Sequence, residues 1–280
     1  MDRIQKALDK AKQKNAQQQD PSVPVKKSEK VKVADTVIPD PFQHGPENIA
    51  YSQTAVVNVT EAALEAKRII ANQYNNPNSA VFRMLRTQVL KKMRENDWQS
   101  IAITSPTAKE GKSLIASNLA VAIAMELNQT VLLVDMDLRN PSLSDYFSLN
   151  AKLGLKDYLE QDIGLADVLI NPGIKRLVIL PGIGRAEDSA ELLSSPKMAN
   201  LVAEIKAQYD SRIVIFDVPP LLMTDDVVLA SNYFDCTLMI LEDGHNPEED
   251  IKKAYQLVEG SNLLGTVLNK SENPPTHQSY

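Results

Sequence analysis

One stretch decides the fold: SIAITSPTAKEGKSLIASNLAVAIA, residues 100–124. A short apolar run leads into a polar loop, and the loop ends in Gly111-Lys112-Ser113 where an apolar helical stretch begins. Backbone N–H groups at such a helix start, here residues 109–114, can cradle phosphate oxygens, while Lys112 adds a positive charge and the Ser113 hydroxyl can ligate Mg²⁺. Pro106 replaces the first glycine of the usual Gly-x-x-x-x-Gly-Lys-Ser pattern, so a plain polar turn is the alternative.

The rest of the body repeats this alternation of strand and helix. Short runs rich in Ile and Val occupy residues 130–137, 176–181, 212–219, 237–243 and 266–269, and helical stretches occupy 79–95, 113–127, 189–208 and 248–260. Continuous apolar strands separated by helices are typical of a parallel sheet that is covered on both faces. We therefore predict an α/β fold with a doubly wound, mostly parallel sheet, whose ligands lie beyond the carboxyl ends of the strands.

Acidic residues stand at two of those strand ends. Asp135, Asp137 and Arg139 follow the second strand, and Asp217 follows a buried run at 212–216. A period of two directs Asp135 and Asp137 to the same side. Carboxylates beside a bound triphosphate can hold Mg²⁺ or take a proton from an attacking hydroxyl. The alternative is that they cap helices or pair with arginine at the surface.

Composition excludes several classes of protein. The 280 residues are 43% hydrophobic and 24% charged, no stretch approaches 18 uninterrupted apolar residues, and the start MDRIQKALDK lacks the apolar core of a secretory signal. We therefore expect a cytoplasmic protein without a membrane span. The single cysteine, Cys236, excludes an internal disulfide framework, and three histidines leave little material for a zinc site.

Charge divides the chain into a basic arm and an acidic body. Residues 1–33 contain nine Lys and Arg against four Asp and Glu, a net charge of +5, so the remainder carries −11. Binding of nucleic acid by the body is not expected, because phosphate neutralisation needs a clustered basic surface. The arm could contact an anionic membrane surface or an acidic partner, or remain a solvated extension.

The sequence predicts five segments. They are a short amphipathic helix at 1–13, a disordered proline-punctuated linker at 14–58, a possible helix at 59–76, the catalytic domain at 77–272, and a flexible tail at 273–280. In the helix at 79–95, opened by Asn78 or Ser79, the apolar face consists of Val81, Leu85, Val89 and Met93.

These motifs together resemble a known family. The Gly-Lys-Ser loop, Asp-x-Asp-x-Arg at 135–139 and Asp-x-Pro-Pro at 217–220 are similar to the Walker A, A′ and B motifs of the bacterial tyrosine kinases of capsule and exopolysaccharide loci, which are P-loop relatives of the partitioning and division-site ATPases. Further stretches, such as DLRNPSLSDYF (137–147) and LLGTVLNKSE (263–272), resemble the autokinases of exosortase-type exopolysaccharide loci.

The resemblance implies a kinase that transfers the γ-phosphoryl group of MgATP to tyrosine, its own tyrosines included, and so regulates exopolysaccharide synthesis or export. By matching position, Asp137 assists the nucleophile, Lys112 and Asp135 complete the catalytic set, and Ser113, Asp135 and Asp217 serve the magnesium. The implied nucleotide-binding residues are Lys109, Glu110, Gly111, Lys112, Ser113, Leu114, Arg139 and Asn269, with Asn269 at the adenine edge. The rival interpretation is an ATP-binding conformational switch or assembly factor without kinase activity.

The resemblance also implies partners. They are a membrane chain-length protein that activates the kinase through the arm or the helix at 79–95, tyrosine phosphoacceptor proteins, and further copies of this chain in a homo-oligomer. The implied location is the cytoplasm, at the inner face of the membrane through that partner.

Three departures from the family pattern qualify these implications. Lys109 replaces a glycine in the phosphate loop, so either the loop relaxes there or Lys109 adds a second charge for phosphate. Ala80 replaces the acidic residue of a Glu-x-x-Arg-x-x-Arg ring-assembly motif that keeps Arg83 and Arg86, which puts a closed ring in doubt. The usual C-terminal tyrosine cluster is absent, and Tyr280 alone remains there as a possible phosphoacceptor.

Overall fold

The computed structural model describes residues 54–207 and 212–272. The predicted helix at 1–13, most of the predicted linker and the tail at 273–280 with Tyr280 lie outside the described residues. The eight strands are β1 Ala55–Val56, β2 Ser100–Thr104, β3 Thr130–Asp135, β4 Ile170–Asn171, β5 Leu177–Leu180, β6 Arg212–Asp217, β7 Cys236–Glu242 and β8 Leu263–Asn269.

Ten α-helices within the described ranges connect these strands. They are α1 Glu61–Ala66, α2 Ser79–Glu95, α3 Lys112–Ala124, α4 Leu143–Tyr146, α5 Leu155–Glu160, α6 Leu165–Val168, α7 Ser189–Leu193, α8 Pro196–Ala207, α9 Asp226–Leu229 and α10 Glu248–Val258, with a 3₁₀ turn at Ser231–Tyr233. The predicted helix at 189–208 is divided into α7 and α8 at Ser194–Ser195, because Pro196 has no N–H to continue a helix.

All eight strands form one sheet in the order β1-β4-β5-β3-β6-β2-β7-β8. Every neighbouring pair is parallel except β4 and β5, which pair antiparallel. The central strands are β3, β6 and β2, and the chain crosses over between them through helices. This arrangement confirms the predicted doubly wound, mostly parallel α/β fold.

The core follows the two-residue period of the strands. In β3, Val131 and Leu133 belong to one cluster of buried residues, whereas Leu132 and Val134 belong to another. The first cluster includes side chains of α2 and α3, and the second includes side chains of α5, α8 and α10. Because both faces of the sheet are covered, its strands are apolar at nearly every position, which explains the continuous runs in the sequence.

Helix α2 has the predicted bounds, but its buried face is narrower than predicted. Val89 and Met93 are buried and Leu85 is half-buried, whereas the Val81 side chain is 53% exposed. Asn78 precedes the helix without a side-chain capping bond.

The segment before α2 differs from the prediction. Strand β1 lies where the sequence predicted linker, and the predicted helix at 59–76 is helical only over the six residues of α1. Leu64 in α1 is buried in the core, and after α1 the chain continues as an irregular segment in which Ile69 and Ala71 are also buried. Residues 55–71 therefore belong to the folded body, which begins earlier than the predicted residue 77. Within the described ranges, no helix has the length and apolar character needed to cross a membrane.

Candidate active site

A cavity of about 540 Å³ opens at the carboxyl ends of the central strands. The phosphate loop and the start of α3 form one wall, and the segments after β3 and β6 form the others. Its lining includes the predicted site residues Lys109, Gly111, Lys112, Ser113, Asp137 and Arg139. This is the edge at which ligands bind in doubly wound folds.

Lys112 is the centre of the charge network in this cavity. Its ammonium group lies 2.8 Å from Asp137 Oδ2, 3.3 Å from Asp217 Oδ1 and 3.3 Å from the Ser113 hydroxyl. Burial by itself lowers the pKa of Lys112, but the Asp217 and Asp137 carboxylates more than offset this and raise that pKa well above its ordinary value. Lys112 is therefore a permanent positive charge held at the mouth of the loop.

Asp135 and Asp217 face each other in register on the adjacent strands β3 and β6. Both are completely buried. Burial and the nearby charge of Asp217 raise the pKa of Asp135 to about 7, and burial also raises the pKa of Asp217, although Lys112 counteracts it there. Two buried carboxylates side by side disfavour the doubly charged state unless a cation joins them.

Asp135 and Asp137 have different hydrogen-bond partners. Asp135 Oδ2 accepts hydrogen bonds from the backbone N–H groups of Ser142 and Leu143, both at 2.9 Å, at the start of α4. Asp137 lies beyond the end of β3, where Asn140 N–H donates to its Oδ1 and Lys112 pairs with its Oδ2. Asp135 therefore performs the helix capping that the sequence left open as an alternative, while its Oδ1 has no hydrogen-bond partner. The separate roles predicted for Asp137 and for Asp135 stay predictions.

The buried oxygens that remain fit a divalent cation. Asp135 Oδ1 and Asp217 Oδ2 are both buried without a hydrogen-bond partner, and the Ser113 hydroxyl lies beside Lys112 in the same cavity. Carboxylate and hydroxyl oxygens are the ligands Mg²⁺ prefers. Within the described ranges no three His, Cys, Asp or Glu side chains form a complete metal-binding group. The remaining ligands would have to come from phosphate oxygens or water, as is usual for Mg²⁺ at nucleotide sites.

The phosphate loop keeps the conformation that a glycine would adopt. Lys109 has a φ of +68°, in the left-handed region, and Gly111 has a φ of +94°. Of the two alternatives raised by the sequence, relaxation of the loop is therefore wrong, and Lys109 lines the cavity as a second lysine. Its backbone conformation is unusual for a residue with a Cβ and must be held by its surroundings.

Three predicted nucleotide-binding residues do not line the cavity. The Glu110 side chain is fully buried, Leu114 packs against the core, and Asn269 Nδ2 donates to the Glu110 carbonyl at 2.7 Å. A Cβ at Gly111 would come within 2.3 Å of Asn269 Nδ2, so the loop and the end of β8 are in close contact. The adenine-reading role of Asn269 stays a prediction.

The structure adds residues that sequence reasoning missed. Arg139 Nε donates to Asp226 Oδ2 at 3.2 Å, and the buried Ser189 hydroxyl donates to the same oxygen at 2.6 Å. Tyr146 and the Pro219-Pro220 pair also line the cavity. Nothing in the sequence connects Asp226 to Arg139, because 87 residues separate the two along the chain.

Arg83 and Arg86, the two arginines of the ring-assembly motif, lie on α2 and contact groups of this chain. Arg86 donates to the Ala122 carbonyl at 3.2 Å and forms an ion pair with Glu126 at 3.0 Å. Arg83 donates to the Ser79 hydroxyl and lies 5.9 Å from the centre of the Tyr74 ring. Both arginines have partners within this chain, with Glu126 in place of an acidic residue at position 80.

Comparison with known proteins agrees with this geometry. The family model for the CobQ/CobB/MinD/ParA nucleotide binding domain matches residues 101–280. The tyrosine-protein kinase YwqD of Bacillus subtilis is 34% identical over 194 residues, which cover 69% of this chain and 81% of YwqD.

Solved structures give the same result. A chimeric protein named CapA2B2 superposes with a TM-score of 0.68 at 31% identity, over 78% of this chain and 94% of the chimera. The kinase domain of the Escherichia coli tyrosine kinase ETK has a TM-score of 0.68 at 26% identity, over 83% of this chain and 94% of that domain. The septum site-determining protein MinD of Pyrococcus horikoshii, solved with Mg-ADP, has a TM-score of 0.53 at 25% identity, over 63% of this chain and 74% of MinD. The chain therefore belongs to the bacterial tyrosine-protein kinases, and its body matches the CobQ/CobB/MinD/ParA nucleotide binding domain.

Proposed function

We propose that this protein-tyrosine kinase transfers the γ-phosphoryl group of MgATP to tyrosine hydroxyls, its own among them, and thereby regulates exopolysaccharide or capsule production. The observation that carries the proposal is the ion pair between Lys112 and Asp137, 2.8 Å apart at the mouth of the phosphate loop. This ion pair places the positive charge of Lys112 beside the Asp137 carboxylate, which can accept a proton. Phosphoryl transfer asks mainly for positioning and charge stabilisation, which these residues supply.

Lys112 has two sets of possible partners. Without nucleotide it neutralises Asp137 and Asp217. When phosphates enter the cavity, its ammonium group can turn to them, because its stem is flexible and phosphate oxygens carry more charge. Asp137 then loses its cation and is free to accept the proton of an incoming tyrosine hydroxyl.

The backbone and the remaining polar groups complete the site. The N–H groups at the start of α3 and in the loop from Lys109 face phosphate, and the positive end of the helix dipole favours the negative charge. The Ser113 hydroxyl and the free oxygens of Asp135 and Asp217 would hold magnesium. When bound, magnesium neutralises charge on the phosphates and so favours departure of the nucleoside diphosphate. Arg139 adds a guanidinium group at the far side of the cavity.

The test is phosphotyrosine formation by the purified protein. Wild-type protein incubated with MgATP should acquire phosphotyrosine, mapped by mass spectrometry, and the map would show whether Tyr280 is an acceptor. Lys112→Met should abolish the signal, and Asp137→Ala should lower the rate at least 10²-fold, since removal of a general base typically costs about 10²- to 10⁴-fold.

The matched control is Lys252→Met on α10, where the lysine side chain is 70% exposed and pairs with Glu248. This variant should form phosphotyrosine at the same rate as the wild type. Circular dichroism on every variant separates loss of activity from loss of fold. Nucleotide binding without phosphotyrosine in the wild type, even with a membrane activator present, would contradict kinase activity and favour the conformational switch.

We also propose a membrane-embedded activator of the chain-length type, which recruits the kinase to the inner face of the membrane through the basic arm. The charge of residues 1–33 supports this, since a basic segment is attracted to anionic lipid surfaces. The test is a protein beginning at residue 54, which keeps β1 and the buried Leu64, Ile69 and Ala71. This truncated protein should form phosphotyrosine no faster with the activator than without it. Equal stimulation of this truncated protein and the full-length protein would remove the arm from the proposal.

A further inference from the structure

A fully buried carboxylate within the phosphate loop is unexplained by nucleotide binding. Glu110 is 0% exposed, lies next to Gly111, and is absent from the lining of the cavity. Among the described residues it has no ion pair, although a buried charge is costly unless hydrogen bonds or a cation satisfy it. An acidic side chain beside a triphosphate site also opposes the binding of phosphate. Glu110 must therefore make stabilising contacts that offset the cost of burying its carboxylate and the repulsion between that carboxylate and phosphate.

The contacts of Glu110 show what it holds. Its Oε1 accepts hydrogen bonds from the Thr107 N–H at 2.7 Å, from the Thr107 hydroxyl, and from Asn246 Nδ2 at 2.7 Å. The first two close the turn 107–110 on itself. The third joins that turn to the loop between β7 and α10, 136 residues further along the chain.

The orientation of the Asn246 amide is fixed on both sides. Its Oδ1 accepts from the Glu242 N–H at 2.8 Å, so its Nδ2 is the atom that faces Glu110. The pair is therefore a donor and a charged acceptor, which is a stronger hydrogen bond than one between neutral groups. Exchange of the amide for a carboxylate would turn this attraction into repulsion between the buried Glu110 carboxylate and a half-buried one at position 246.

The end of β8 supports the same turn from a second direction. Lys270 Nζ donates to the Lys109 carbonyl at 2.8 Å, and Asn269 Nδ2 donates to the Glu110 carbonyl at 2.7 Å. The carbonyls of two consecutive loop residues are thus held by side chains outside the loop. These contacts surround Lys109, whose φ of +68° is unfavourable for a residue with a Cβ.

We propose that the side chains of Glu110, Asn246, Asn269 and Lys270 form a loop latch, which positions the phosphate loop for nucleotide and ties it to the β7–α10 loop. In this latch Glu110 and Asn246 are positioning residues that do not touch the phosphates. The latch holds Lys109 in the left-handed conformation before nucleotide arrives, so that binding does not have to order the loop. The inference rests on nucleotide binding at this site and does not require that tyrosine is the acceptor.

The experiment measures ADP affinity by titration calorimetry and the unfolding midpoint without nucleotide, for full-length variants. Asn246→Asp should weaken ADP binding at least 10-fold, because it sets a second carboxylate against Glu110. Glu110→Gln in the Asn246→Asp background should recover most of that loss, since an amide at position 110 can donate to the carboxylate at position 246 and still accept from Thr107. In kinase assays Asn246→Asp should raise KM for ATP while kcat stays within about 3-fold of wild type.

Asn262→Ala is the matched control. That asparagine also donates one side-chain hydrogen bond, but its acceptor is a backbone carbonyl, Asp235 O at 2.9 Å, at the opposite end of β7. It should leave ADP affinity within 2-fold. Wild-type ADP affinity in folded Asn246→Asp would overturn the latch, as would a loss that Glu110→Gln does not relieve. Absence of phosphotyrosine in a wild type that binds ADP would instead count against the proposed kinase function and leave the latch standing.

Discussion

Helix α3 carries two buried polar clusters that differ in how completely they are paired. At its first turn, Lys112 and Ser113 face Asp137 and Asp217, where charges are concentrated and carboxylate oxygens remain without partners. Six residues further along, Asn118 is also fully buried, but it is neutral and every hydrogen-bonding position of its amide is used. Both clusters are built on the same rigid helix.

The contacts of Asn118 illustrate complete pairing. Its Oδ1 accepts from Ile70 N–H at 2.9 Å and Ala71 N–H at 3.2 Å, and its Nδ2 donates to the Arg68 and Leu114 carbonyls at 2.9 and 3.0 Å. An amide can make four hydrogen bonds in total. The comparison teaches that a neutral group with all its hydrogen bonds made attaches one segment to another. The charged cluster keeps carboxylate oxygens without partners, and a ligand and a cation can bind there.

The largest expected effect comes from breaking the satisfied cluster. Asn118→Ala should lower the free energy of unfolding by about 3 kcal/mol, because it leaves buried N–H and C=O groups of residues 68–71 unpaired at about 1–3 kcal/mol each. Urea denaturation measures this loss. Phosphorylation at low temperature should change by less than about 3-fold, since the first turn of α3 is not altered.

Ser117→Ala is the matched control for that prediction. Ser117 is the adjacent residue, equally buried, and its hydroxyl has no hydrogen-bond partner. Replacement by alanine removes an unsatisfied polar atom and should leave stability unchanged or slightly higher. A loss of stability in Ser117→Ala comparable to that in Asn118→Ala would mean that any change at this part of α3 is harmful, and the distinction between the clusters would fail.

An intermediate effect is expected at the charged cluster. The pKa of Asp135 is raised from its ordinary 3.8 to about 7 by burial and by Asp217, so the unfolded chain releases this proton before the folded protein does. Between about pH 4 and pH 7 the unfolded state therefore binds fewer protons, and the nucleotide-free protein loses stability as pH rises through this window. Asp135→Asn should remove this contribution and be more stable than wild type at pH 8 by about 1.4 kcal/mol or more, the equivalent of one pKa unit.

Urea denaturation of both proteins between pH 5 and pH 8, without nucleotide, checks this prediction. The difference between wild type and variant is the quantity to follow, because groups far from this site titrate equally in both and only Asp135 and the charges that interact with it contribute. Saturating MgADP should reverse the order, since magnesium would compensate the ionised carboxylate in wild type only. A difference that does not depend on pH would show that Asp135 is ionised throughout.

The smallest effect is expected at an exposed ion pair of the segment 59–71. Lys67 pairs with Asp145 at 2.7 Å, but the two side chains are 36% and 76% exposed. Exposed pairs contribute about 0–1 kcal/mol, so Lys67→Ala should cost less than about 0.5 kcal/mol by urea denaturation. A cost approaching that of Asn118→Ala would mean that the ion pair, and not the buried amide, attaches residues 59–71 to the body.

The two clusters differ in how far they can be predicted from the sequence. Lys112, Asp137 and Asp217 could be placed at one edge because parallel strands end together and the Gly-Lys-Ser loop marks that end. Asn118 could not be identified, since an asparagine inside an apolar helix has no local signal and its partners lie about 48 residues earlier. The burial of residues 59–71 was partly missed for the same reason, because an irregular segment has no period to reveal its buried side chains.

The sequence by itself determined the sheet, its two covered faces and the edge at which charge collects. These follow from periods of two and 3.6 residues and from loop chemistry, all of which act between near neighbours. Tertiary structure decided how each polar group is used: Asp135 caps α4, Asp226 holds Arg139, and Lys109 keeps a left-handed backbone because Asn269 and Lys270 hold the loop. Such choices depend on hydrogen bonds between distant segments, which exist only when the packed sheet brings those segments together.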